Sequence, residues 1–253
     1  MNIISKANGS IRRTQMKFPP TDIFLQQYEP DSLDLSSGQR FCSFSHQALR
    51  ESLDAIDKLD ELGIHDFNLV DQFSMGYTDG SYLKHLPHRD SFEGGYERGA
   101  MQRLGLLNDI GRFTFSKAFI IPVELDINSL FYGVVTYWVD HKTKKLRSRP
   151  ILWSRKGIAM VNKRAADIYE HINVTSCALT ALKMIQAGYD NTVAIVSNGA
   201  TEDTYYDLLH QFPTKKVSVI SNGSDEDELF RSQLEYACVS LGISFKDYMN
   251  DED

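Results

Sequence analysis

The chain has 253 residues, 42% hydrophobic, 24% charged and 11% aromatic, with a net charge of −7. That length buries one large core or two small ones, and the composition is that of a globular protein rather than a disordered or fibrous one. Its three cysteines, Cys42, Cys177 and Cys238, lack C-x-x-C spacing, which argues against a zinc ribbon or a disulfide framework.

The first 20 residues are polar and basic, without the apolar stretch of a secretory signal, and no later apolar run reaches the roughly 18 residues of a membrane span. A cytosolic protein is expected. Residues 1–40, with "FPP" and "DLSSGQ", read as a leader or linker. Ser45 is positioned to cap a helix whose apolar residues Leu49, Leu53, Ile56, Leu59 and Leu62 recur at helical spacing before Gly63 ends it. "FNLVDQFSMGY" and "GSYLKHLP" give short elements around a turn. "SFEGGYERGAMQRLGLL" gives a glycine-rich turn and a helix ending near Gly105. "RFTFSKAFIIPVEL" and "LFYGVVTYWVDH" are dense in Phe, Ile, Val and Tyr and read as strands. "PILWS" is a candidate strand and "NKRAADIYEHI" a helix.

Charge is unevenly distributed. Nine of the 27 basic residues (Lys142, Lys144, Lys145, Arg147, Arg149, Arg155, Lys156, Lys163 and Arg164) fall between His141 and Ala166, with no acid among them. From Thr201 onward twelve Asp/Glu face four Lys/Arg. A cationic block inside an acidic chain fits a polyanion-binding groove, and Tyr137 and Trp153 nearby offer base-stacking platforms. His65, His85 and His88 lack a Cys/Asp/Glu set at metal spacing, and no G-x-x-x-x-G-K-[ST] phosphate loop occurs.

The last third alternates strand and helix. "INV", "TVAIVSN", "KVSVIS" and "ISF" are strands. "CALTALKMIQAG", "TEDTYYDLLHQF" and "DEDELFRSQLEYACVSLG" are helices. Such alternation predicts a parallel sheet, with ligands at the carboxyl ends of its strands. Those ends hold Thr175 and Ser176, Asn198 and Gly199, and the stretch from Asn222 to Asp227.

From about residue 45 onward, this order resembles the catalytic core of bacterial and phage replicative primases of the DnaG-like type. That core is a mixed α/β lobe followed by a Toprim domain. Arg112, Phe113, Lys117, Ile121, Pro122 and Val123 stand where that family has its "R-F…R…F-P-I" string. Arg155, Lys156 and Gly157 match its basic segment beside the template groove. The first Toprim motif has Ser176 in place of Glu, Cys177 in place of Gly and Thr180 in place of Asp. The D-x-D motif has two registers. In one, Asn222 and Ser224 replace both acids, and Asp225 to Glu228 only begin a helix. In the other, Asp225 and Asp227 supply them. "KDYMND" approximates the closing motif.

The resemblance implies an α+β lobe over residues 41–170, with a basic segment at 141–166, and a Toprim-like, Rossmann-like parallel sheet over 171–253. It implies a DNA primase-like replication protein, from a phage or mobile element, that binds single-stranded DNA or an RNA–DNA hybrid. Lys117 and the nine basic residues above would contact that strand. The implied partners are a replicative helicase, a polymerase or an active primase subunit. A hydroxyl cannot replace an anionic metal ligand, so weakened or lost primer synthesis is expected, with no cofactor. Mg²⁺ or Mn²⁺ enters only if Asp225 and Asp227 keep the enzyme active. A pure protein-interaction module is the third reading. The first 40 residues hold no Cys, so no zinc-binding template reader is expected there.

Overall fold

The computed structural model describes residues 30–115, 117–124, 131–140, 142–153, 157–221 and 225–247, with the side chains of 131, 225 and 226 outside the description. Helix α1, Ser32–Glu51, starts earlier than its sequence suggests. Asp31 caps it, its carboxylate accepting the N–H groups of Leu33 and Asp34 at 2.9 and 2.8 Å. Residues 32–40, expected to belong to a leader or linker, are therefore helical, and Ser45 is a buried mid-helix residue. The turn-like "SSG" misleads because small residues here serve packing. A Cβ on Gly38 would overlap the Trp153 indole, and the Ser37 hydroxyl returns to the Leu33 carbonyl. Ser52 breaks the expected single helix by capping α2, Leu53–Glu61.

Next come α3 (Phe67–Gln72), β1 (Gly76–Thr78), α4 (Tyr82–His85) and α5 (Phe92–Arg103). The Gly94-Gly95 pair lies inside α5, where the Ser91 hydroxyl accepts the Gly94 N–H, rather than in a turn. Three strands and an unpredicted fourth follow: β2 (Ala118–Glu124), β3 (Phe131–Val139), β4 (Leu146–Leu152) and β5 (Ile158–Val161). The chain then runs α6 (Lys163–Ile168), β6 (His171–Thr175), α7 (Ala178–Gln186), β7 (Thr192–Ser197), α8 (Glu202–Leu209), β8 (Lys216–Val219), α9 (Asp225–Leu241) and β9 (Ser244–Asp247).

One nine-stranded sheet joins them in the order β4-β3-β2-β5-β7-β6-β8-β9, with β1 also paired to β2. Pairing is antiparallel from β4 to β7 and parallel among β7, β6, β8 and β9. The α+β half and the parallel half expected from sequence are thus one continuous sheet. Burial follows strand period. Phe119, Ile121 and Val123 of β2 meet α2 and α7, whereas Ala118 and Ile120 meet Phe41 and Leu104 on the opposite face. In β7, Ala194 and Val196 join the first of these cores, and Val193 and Ile195 pack with α8 and α9.

Two ion pairs tie helix α1 to α5. Arg40 pairs with Glu97, and Arg103 grips the fully buried Asp34 through Nη2 at 2.7 Å and Nε at 3.2 Å.

Candidate nucleic-acid interface and the Ser176 cavity

Strand β6 ends at Thr175, and Ser176 and Cys177 turn the chain into α7. The Ser176 hydroxyl donates to Asp227 Oδ1, across the turn from the third residue of α9. Asp227 is only 5% exposed. The sheet curls until its edge strand β4 approaches β7. The curl encloses a cavity of about 250 Å³ lined by Tyr137 (β3), Ser148 and Pro150 (β4), Ser197 (β7), Ser176, Cys177 and Asp227.

Tyr137 closes one wall. Cys177 occupies the N-cap of α7 without a capping bond, and the Tyr137 hydroxyl instead accepts the Leu179 N–H at 3.3 Å and lies 3.7 Å from Cys177 Sγ. Burial pushes the phenol well above its usual pKa, so it stays neutral. Tyr137→Phe removes this acceptor from a buried helix start. We expect it to destabilise the fold by about 1–2 kcal/mol, read from urea unfolding midpoints.

Primer synthesis requires a pair of divalent metal ions. A hard cation takes six or more oxygen ligands, with carboxylates supplying the charge. Among the described residues the lining offers one carboxylate, Asp227, and no group of three His, Cys, Asp or Glu able to bind a metal, while the side chains of Asp225 and Glu226 lie outside the description.

A second concavity, of about 760 Å³, lies beside the turn end of the β3–β4 hairpin. Tyr77, Phe113, Phe115, Phe119 and Trp138 line it, with Lys58, Lys117 and Lys142 at its border and Glu61 and Asp140 as its acids. Pairing of β1 with β2 sets Tyr77 beside Phe119, and their rings lie 5.3 Å apart. Asp140 orders the hairpin turn by accepting the N–H groups of Lys142 and Thr143 and the Thr143 hydroxyl, at 2.9, 2.7 and 3.0 Å. Those donors, Thr143's foremost, hold its carboxyl below the usual range.

The predicted basic residues fall into separate groups. Lys117 and Lys142 border the aromatic groove; Lys144, Lys145 and Arg147 are exposed on the hairpin, and Arg149 is half-buried further along β4. Lys163 must be removed from the set. It is 4% exposed, its ammonium is 2.8 Å from Asp167, and it lies 5.0 Å from the Phe212 ring. Arg164 lines a different cavity with Gln72, Pro122 and Glu124. Arg155, Lys156, Asn222 and Ser224 lie outside the described residues, as does the Asp225 side chain. Tyr137 and Trp153 are also corrected as stacking platforms, since both are buried. The partly accessible aromatics of the groove are instead Phe113 and Trp138, whereas Tyr77, Phe115 and Phe119 form its buried floor. No spacing rule gathers positions 77, 113–119 and 138; only strand pairing does.

No protein-family model matches the chain, and no curated protein matches it in sequence. Solved structures do. The zinc-binding and RNA polymerase domains of the Aquifex aeolicus primase superpose with a TM-score of 0.69 at 21% identity, over 88% of this chain and 56% of that one. This chain thus spans little more than half of that protein. The E. coli primase catalytic core gives 0.63 at 17% identity, over 87% of this chain and 73% of that one. A DnaG primase catalytic domain bound to single-stranded DNA gives 0.63 at 18%, over 90% and 73%. The curled sheet, with its antiparallel and parallel halves, is the fold of a DnaG-like primase catalytic core.

Proposed function

We propose that this chain is a primase-like replication protein that holds single-stranded nucleic acid along the hairpin and its aromatic groove, with primer synthesis weakened or lost. One observation carries the reading: the half-buried Phe113 and Trp138 share a concavity of about 760 Å³ with Lys58, Lys117 and Lys142. Aromatic faces stack on any base, and lysines neutralise phosphates; together they make a sequence-tolerant single-strand site. The solved DnaG domain bound to single-stranded DNA supports the same use of this fold. Its setting is a reducing compartment, since all three cysteines are unpaired thiols. A helicase, polymerase or active primase would supply the chemistry and the template choice.

Loss of catalysis rests on the Toprim-like motif. Ser176 stands where the family has its Glu, and its hydroxyl is bound to Asp227. One observation favours the rival, an active Mg²⁺- or Mn²⁺-dependent primase: Asp227 is turned into the cavity rather than toward solvent.

Two measurements test the proposal. Fluorescence anisotropy with a labelled oligothymidylate should show binding at 50 mM salt that weakens steeply by 200 mM. Trp138→Ala should reduce the affinity by about 1–3 kcal/mol of stacking. Absence of binding at low salt would remove the nucleic-acid reading and leave the protein-interaction module. A primer-synthesis assay with Mg²⁺ or Mn²⁺ should give no template-dependent product; product that Asp227→Asn abolishes would establish the active alternative.

A further inference from the structure

Helix α9 packs one side on the sheet and leaves the other open. Phe230, Leu234, Ala237 and Cys238 are buried, whereas Leu229, Tyr236 and Val239 are each more than half exposed. At 100° per residue the three exposed side chains fall within about 80° of one another, so they form a stripe rather than scattered positions. Glu228 and Glu235 border that stripe on one side, both exposed, with Glu235 in an open i,i+4 ion pair to Arg231 at 3.7 Å. An apolar strip with an acidic margin is an uncommon thing to leave in water.

The opposite arrangement occurs on the same chain. At the β3–β4 hairpin, Val139 and Leu146 are cross-strand partners, and both are exposed. Lys142, Lys144, Lys145 and Arg147 surround them. One surface is apolar with a cationic margin, the other apolar with an anionic margin. Each supplies what the other lacks.

We propose that the hairpin of one copy docks on the α9 stripe of a second copy. The two patches differ, so the contact is head-to-tail, and each open assembly retains one free hairpin at one end and one free stripe at the other. Small patches of this kind give a weak, salt-sensitive association rather than a permanent dimer. The contact draws on the same cations as the proposed nucleic-acid site. A bound strand therefore competes with the neighbouring copy for the hairpin.

Sedimentation velocity of the full chain tests this. At 50 mM salt the weight-average mass should rise above the 28.8 kDa monomer as concentration increases through tens of micromolar, and return to it at 0.5 M salt. Lys144→Glu/Lys145→Glu alone should stay monomeric, as should Glu228→Lys/Glu235→Lys alone. An equimolar mixture of the two variants should associate again, because each reversed surface finds its complement on the other chain. A monomer at every concentration overturns the proposal. So does either variant self-associating like the parent, which would indicate a symmetric contact. Nucleic-acid binding is read separately: Glu228→Lys/Glu235→Lys leaves the hairpin intact and should bind oligothymidylate no more weakly than the parent. Association without such binding would sink the proposed function and leave this inference standing.

Discussion

Reversing Lys142, Lys144 and Arg147 to Glu together is expected to weaken single-strand binding on the order of a hundredfold at 0.1 M salt, with the fold intact. All three side chains are exposed on the hairpin, so the change should not disturb the core. Each phosphate contact contributes about 0.7 to the slope of log affinity against log salt on a single strand. Losing three should flatten that slope by about 2, and the new acids repel the backbone besides. Anisotropy titrations at four salt concentrations read affinity and slope together. An unchanged slope would place the strand elsewhere on the molecule. Lys163→Gln is the control. Its ammonium is already engaged by Asp167, so it should alter stability and leave the salt slope unchanged.

Replacing Arg103 by Met should be the most destabilising single change outside the central core. Asp34 is fully buried, and Arg103 holds both of its oxygens. Without the guanidinium a carboxylate remains in a low-dielectric site, a situation that costs about 3–5 kcal/mol. For a chain of this size the melting temperature should fall by about 10 °C. Arg103→Lys keeps the charge but not the two-pronged geometry, so an intermediate loss is expected. Equal melting of parent and Arg103→Met would show that the Arg103–Asp34 pair does not stabilise the packing of α1 on α5.

Much of the fold was legible because its strands and late helices bury regular faces. Val193 to Ser197 and Val217 to Val219 are short apolar runs followed by turn residues, and such runs become parallel strands. The antiparallel half gave weaker signals. Strand β5, Ile158–Val161, directly precedes a helical stretch and is too short to show a period. Helix α1 is hidden by Ser36, Ser37 and Gly38, the last of which is small because helix and indole meet there. The site divides in the same way. Ser176 is placed by its position at the end of an expected strand; Asp227 enters, together with Asp225, in only one of two registers, because sequence spacing cannot tell whether the carboxylates of a helix's first turn face inward. Lys163 looked like its cationic neighbours, and only the position of Asp167 and Phe212 shows that its charge is turned into the protein.

Strand β4 is both the sheet's outermost member and a wall of the Ser176 cavity, through Ser148 and Pro150. It is bonded to the sheet along one flank, by β3, and Pro150 has no N–H to recruit a further strand on the other. A strand anchored on one side peels more readily than a central one. Tension on the hairpin from anything that grips it would therefore be felt first at the lip of the chamber holding Asp227, while the parallel strands beneath stay in register.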